Sequence, residues 1–168
     1  MTESVLFEQL GGAPGIARLV DDFYDRMEQP CYAALRDLHA PDLAMTRAVL
    51  KLYLAEWMGG PAEYSAAYGH PRLRQRHMHI RIGETERDDW MRCMSEAMAH
   101  NVPDEAARTR LTQNLVKLAD WMRNQPGNPH DAGQAYGAGT ETSVAQAGHV
   151  ANSTVENPTN CPCSSVRD

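Results

Sequence analysis

An all-α fold follows from three observations on this 168-residue chain. Apolar residues recur every three or four positions in four long segments, the period of helices with one buried stripe. Pairs such as Gly11-Gly12, Gly59-Gly60-Pro61 and Val102-Pro103 separate those segments. No stretch alternates apolar and polar residues as a half-buried strand does.

The elements follow in order. Residues 6–10 form a short helical piece cut off by Gly11-Gly12, and Pro14 suits the first turn of the next helix. Its stripe is Ile16, Leu19, Val20, Phe23 and Met27. One or two helical turns are expected over 31–38. Asp42 is placed as an N-cap, with Leu43, Thr46, Val49, Leu50, Tyr53, Leu54 and Trp57 at helical spacing and Gly59-Gly60-Pro61 as the stop. Residues 64–83 are of another character, with Gly69-His70-Pro71, several arginines, His77 and His79. Thr85 through Asp88 have capping-box spacing, and the helix they open carries Trp90, Met94, Ala97 and Met98 on its inner face. After the Asn101-Val102-Pro103 break, a last helix carries Ala107, Leu111, Leu115, Leu118 and Met122 and stops before Pro126.

Beyond Gln125 the composition changes. No Leu, Ile, Met, Phe or Trp follows Pro126, so that stretch has little apolar surface to offset the entropy of ordering it. The expected folding unit is therefore residues 1–125, with 126–168 as a low-complexity, disordered tail. The formal charge of −6 is shared between them, 18 acidic against 15 basic residues up to Gln125 and four against one beyond it. Neither part shows the basic excess of a nucleic-acid binder. No apolar run approaches the ~20 residues of a membrane-spanning helix, and the N-terminus lacks a signal-peptide pattern, so a cytoplasmic protein is expected. Cys31 and Cys93 are isolated, which argues against a disulfide framework. Cys161-Pro162-Cys163 reads as a bystander in the tail rather than a metal or redox pair.

The middle segment spends about twenty-five residues joining two helices that a few would join, a length that marks function or disorder. Tyr64, Tyr68, Leu73, Ile80 and Ile82 argue against disorder. His77 lies within it, Trp90 follows on an apolar helix face, Tyr24 adjoins the stripe of the Pro14 helix, and His39 precedes the helix near Asp42. Helices packed around a flat ligand would bring His77 to one face and Tyr24, His39 and Trp90 to the other. The competing reading makes Tyr24 and Trp90 amphipathic core residues whose polar hydrogens find backbone acceptors.

These residues carry a resemblance. Gly11-Gly12, Phe23-Tyr24, Trp57-Met58-Gly59-Gly60-Pro61, the run Gly69-His70-Pro71-Arg72-Leu73-Arg74-Gln75-Arg76-His77, and Ile82-Gly83 leading to Glu86-Arg87-Asp88-Asp89-Trp90 occur in order over about residues 5–125. In this the chain resembles the group II truncated haemoglobins. The resemblance implies a two-over-two helical sandwich holding haem b, with His77 as the iron ligand. It places Tyr24, His39, Thr46, Leu50 and Trp90 in the distal pocket where a diatomic ligand binds. Tyr53, Trp57, Tyr64, Leu73 and Ile80 become haem-wall residues and Arg76 a partner for a haem carboxylate. His79 and Ile80 depart from the family, which usually has Pro and Phe there, so a looser proximal wall is expected.

With one imidazole on the iron, the sixth position is open and distal donors select what occupies it. The implied function is dioxygen binding or transport, with NO and CO as further ligands and an unidentified reductase as partner. The alternative is a haem enzyme using peroxide, or oxidising nitric oxide with dioxygen. A third reading is a helical interaction module without cofactor. Thr46 is small, so no bulky histidine guards that position; His39 is either a third donor or an internal competitor for the iron.

Overall fold

The computed structural model describes residues 5–128. Within them lie eight α-helices and one 3-10 turn. These are α1 Leu6–Gln9, α2 Gly12–Met27, the turn Pro30–Tyr32, α3 Ala33–Arg36, α4 Ala44–Trp57, α5 Glu63–Tyr68, α6 Leu73–His77, α7 Glu84–Asn101 and α8 Glu105–Trp121. The four long ones are the four read from the sequence. Two short helices, α5 and α6, also fall inside the segment expected to be irregular. The expected tail lies almost wholly outside the described residues, as do Cys161 and Cys163.

The core is built on α2, which packs against α4 on one side and α7 on the other, while α7 packs against α8. This is the two-over-two sandwich. Ile16, Leu19, Val20, Phe23 and Met27 of the expected stripe are all buried, and Met94, Ala97 and Met98 of α7 meet Leu111 and Leu115 of α8 in the same core. Burying such side chains stabilises by roughly 1.5–3 kcal/mol each. The chain enters α2 through Gly11, whose φ of 86° is the left-handed conformation that glycine adopts without strain. Four residues on, Gly15 lies against the backbone of α1's end, where an added Cβ would fall 1.7 Å from the Leu10 carbonyl oxygen.

Two helix starts differ from the sequence reading. The backbone first turns helical at Ala44, yet Asp42 still does a capping job, its Oδ1 accepting from the Ala44 N–H at 2.9 Å. At α7 the start is one residue before Thr85. Gly83 is the extended N-cap, and Glu86 Oε2 accepts from the Gly83 N–H at 2.8 Å. Glu86 reaches back with a carboxylate long enough to satisfy an otherwise open donor. Thr85 and Asp88 are left exposed. Cys93 is a buried free thiol, as expected.

Because the contact at Gly15 is with backbone, it has no side chain to move aside. The substitution G15A is expected to destabilise the fold by about 1–3 kcal/mol or more, read as a lower urea midpoint with an unchanged slope. An unchanged midpoint would refute the tight α1–α2 approach.

Candidate functional site

Consecutive on α2, Phe23 and Tyr24 are both buried, and their rings meet edge to face with centroids 4.9 Å apart. Phe23 also lies 5.3 Å from the ring of Trp90 on α7. On the other side of Tyr24 the ring of His39, three residues beyond α3, stands at 5.9 Å and 81°. The fold thus gathers His39, Tyr24, Phe23 and Trp90 into one row. Among the described residues, neither the Tyr24 hydroxyl nor the Trp90 indole N–H has a protein hydrogen-bond partner. Burial holds the Tyr24 hydroxyl well above the ordinary phenol value, with the charge of Arg47 pulling the other way. The hydroxyl therefore keeps its proton at physiological pH and is a donor in search of an acceptor.

The two histidines are held by the same local device. His77 Nδ1 lies 2.7 Å from the carbonyl oxygen of Leu73, and His39 Nδ1 lies 3.0 Å from that of Leu35. A carbonyl only accepts, so in each ring Nδ1 carries the hydrogen and Nε2 of the neutral ring carries the lone pair. Burial lowers the pKa of His39, and the charge of Arg36 adds to this against the opposing Leu35 hydrogen bond.

The chain turns into α6 through Arg72, whose φ of 42° is left-handed, and His77 ends the helix. The loop after it is clasped by Asn124, which follows α8. Asn124 Nδ2 donates to the carbonyls of His77 (3.1 Å) and Ile80 (2.7 Å), and Oδ1 accepts from the Ile82 N–H at 3.0 Å. The Asn124 N–H itself donates to the Ile82 carbonyl at 2.9 Å. His79, beyond the end of α6, is exposed.

The expected wall residues fall into two groups. Tyr53 and Tyr64 are buried with ring centroids 5.5 Å apart, and Trp57 lies 6.5 Å from Tyr53, nearly parallel to it. Burial, with Tyr64 adjacent, pushes the Tyr53 hydroxyl up to about 12. Thr46, Leu50, Leu73 and Ile80 are half-buried, as is Trp90. Trp57 also borders a cleft of about 450 Å³ whose other walls are Asn114, Lys117, Leu118 and Trp121 of α8. Arg76 is exposed and donates to the Tyr68 carbonyl at 3.4 Å. Arg74 donates to the Arg123 carbonyl at 3.2 Å and stands over the Trp121 ring, while Arg81 donates to Gln125.

Comparison with known proteins agrees with this geometry. A family model described as bacterial-like globin matches residues 5–124. The chain is 34% identical over 110 residues to the group 2 truncated hemoglobin YjbI of Bacillus subtilis, covering 66% of this chain and 82% of that protein. The structure superimposes on the group II 2-on-2 hemoglobin of Agrobacterium tumefaciens with a TM-score of 0.71 at 34% identity, covering 74% of this chain and 98% of the other. The cold-adapted truncated hemoglobin of Pseudoalteromonas haloplanktis gives a TM-score of 0.71 at 36% identity, over 73% and 99% of the two chains. The chain belongs to the group II truncated haemoglobins.

A group II truncated haemoglobin is a haem globin, and the residues present fit that group. His77 offers one imidazole lone pair, and Tyr24 and Trp90 offer two hydrogens without a protein acceptor on either side of Phe23. Among the described residues no three His, Cys, Asp or Glu side chains gather as a protein-built metal cage requires. No helix among them is long and apolar enough to cross a membrane.

Three residues of the site are not singled out by the sequence. Phe23 reads there only as core, yet it separates Tyr24 from Trp90. Asn124 stands between a helix end and Pro126, where an asparagine signals nothing beyond a stop. Arg47 is hidden among the charges of α4. Replacing Asn124 with Ala removes a half-buried clasp and leaves two carbonyls and an N–H without that partner. The expected cost is about 1–3 kcal/mol, together with faster haem transfer to an acceptor globin. Transfer at the wild-type rate would show that the loop after His77 holds without it.

Proposed function

We propose that this haem globin binds dioxygen, and with it NO and CO, reversibly, with His77 as the protein ligand to iron and Tyr24 and Trp90 as the donors that hold the bound molecule. Haem supplies a ferrous iron with one coordination position left for a small ligand once an imidazole occupies another. Everything else is done by the chain. Leu73 holds the His77 ring by its Nδ1–H, so Nε2 keeps its lone pair and the ring its orientation. The Tyr24 O–H and Trp90 N–H donate to a ligand that gains negative charge on binding, and their bonds are stronger in a pocket from which water is excluded.

His39 plays a different part from these two. Its only hydrogen in the neutral ring is spent on the Leu35 carbonyl, so it offers the pocket a lone pair rather than a proton. Thr46 and Leu50 supply small and apolar contacts on the α4 side, and Tyr53, Trp57, Tyr64, Leu73 and Ile80 form the apolar surround of the haem. Arg76 reaches a haem carboxylate from its exposed position at the end of α6. Reversible dioxygen binding requires ferrous iron, so a reductase that restores it belongs to this function, and the cytoplasm is the compartment that fits.

The observation that carries this reading is the pair of polar hydrogens, on Tyr24 and Trp90, left without protein acceptors on either side of Phe23. Each donor bond is worth about 1–3 kcal/mol, which corresponds to up to ~100-fold in dissociation rate. Y24F and W90F are each expected to release dioxygen faster in stopped-flow measurements, with haem content retained. Rates equal to wild type in both variants would leave the two side chains as packing and remove the basis for dioxygen binding by this pocket.

A further inference from the structure

Tyr24 shares its face of α2 with three carboxylates. Asp21, Asp25 and Glu28 stand three and four residues apart, so they line up beside the tyrosine on one side of the helix. Arg47 reaches onto that face from α4. One guanidinium nitrogen donates to the Asp21 carbonyl at 3.0 Å, and another donates to Asp25 Oδ1 at 2.7 Å. Carboxylate oxygens of Asp21 and Glu28 lie 3.6 Å away. The guanidinium carbon stands over the Tyr24 ring, 5.5 Å from its centroid. One turn later Lys51 Nζ meets Asp21 at 2.8 Å.

An exposed ion pair between two helices contributes little, because water and salt screen it. Arg47 is placed otherwise. Its side chain is only 20% exposed, it is held at several points including a backbone carbonyl, and the flat group is fixed against one particular ring. With Phe23 at one edge of that ring and His39 at another, Arg47 completes the restraint on Tyr24.

We propose that Arg47 is a positioning residue for ligand binding: clamped by α2's own carboxylates and backbone, its guanidinium fixes the Tyr24 ring and strengthens the Tyr24 hydroxyl as a hydrogen-bond donor. The inference rests on Tyr24 being a ligand donor. The physical cause is the attraction between a cation and the electron-rich face of an aromatic ring. Density drawn toward the cation leaves the phenol oxygen poorer, so its hydrogen is donated more strongly. The same charge opposes the upward push that burial gives the hydroxyl pKa. Arginine suits the task better than lysine because its planar fork makes several fixed bonds while lying flat on a ring. The clamp also sets the register of α4, on which Thr46 immediately precedes Arg47 and Leu50 follows within one turn.

The test uses the ferrous holoprotein as wild type, R47K, R47M, Y24F and the double variant R47M/Y24F. Dioxygen dissociation is followed by stopped flow, and the C–O stretching frequency of the carbon monoxide complex by infrared absorption. R47M is expected to speed dissociation about three- to tenfold and to move the C–O stretch to higher frequency, with R47K between R47M and wild type. In the Y24F background R47M should add nothing to either reading, because Arg47 acts through the missing hydroxyl. Equal acceleration by R47M with and without the hydroxyl would overturn the proposal and leave Arg47 as a helix tie. Wild-type values in R47M beside altered values in Y24F would overturn it while sparing Tyr24 as a donor. No change in Y24F itself would remove the donor reading and this inference together. If R47M does not fold, R47K decides alone, with faster dissociation supporting the proposal and an unchanged rate refuting it.

Discussion

The hydrogen bond from His77 Nδ1 to the Leu73 carbonyl, 2.7 Å long, is where the chemistry of this globin begins. It spans one turn of a helix only five residues long, so the ring and the backbone that holds it move as a unit. With Nδ1 committed as a donor, Nε2 has one role left in the neutral ring, that of a lone pair. A strong single ligand on one side of an iron makes the other side the place where selection occurs. On the proposed reading, the Tyr24 and Trp90 hydrogens and the lone pair of His39 then select what binds there.

His77 is also held from outside α6. Asn124 ties the loop after His77 to the chain beyond α8, while Arg74 and Arg81 reach the same short stretch. The chain after α8 therefore holds the loop that follows His77, as Phe23 packs between Tyr24 and Trp90. It connects the site to the packed core, in which α2 touches both α4 and α7. Gly15 lets α1 close on the start of α2, and Phe23 and Tyr24 are carried on that same helix.

Much of this was legible in the residues. The four long helices, their buried stripes and the breaks between them follow from periodicity and from Gly and Pro, because burial of one helical face is a local pattern. The row of Tyr24, Trp90 and His39 is one of two readings that the residues leave open, and the resemblance favours it, since nothing in the spacing of two helical residues and one loop residue says that they converge. The start of α7 lies ahead of Thr85 because Glu86 reaches back to the Gly83 N–H, while Asp42 caps α4 as expected, from two residues before Ala44. The short helices α5 and α6 do not stand out in the sequence, because five or six residues carry too few repeats to show a period. Asn124 and Arg47 were illegible for a plainer reason. The partners named above lie 19 to 47 residues away in the chain, and such contacts exist only once the fold does.

The central claim is that His77, oriented by Leu73, is the one protein ligand to the haem iron. It is tested most directly by substituting H77G and recording absorption spectra of the ferrous carbon monoxide complex, with and without imidazole added to fill the space left by the ring. The account predicts a haem-binding wild-type spectrum, a large loss of haem or an altered spectrum in the variant, and recovery toward wild type when imidazole is supplied. A variant that retains its haem with an unchanged spectrum in the absence of imidazole would contradict it.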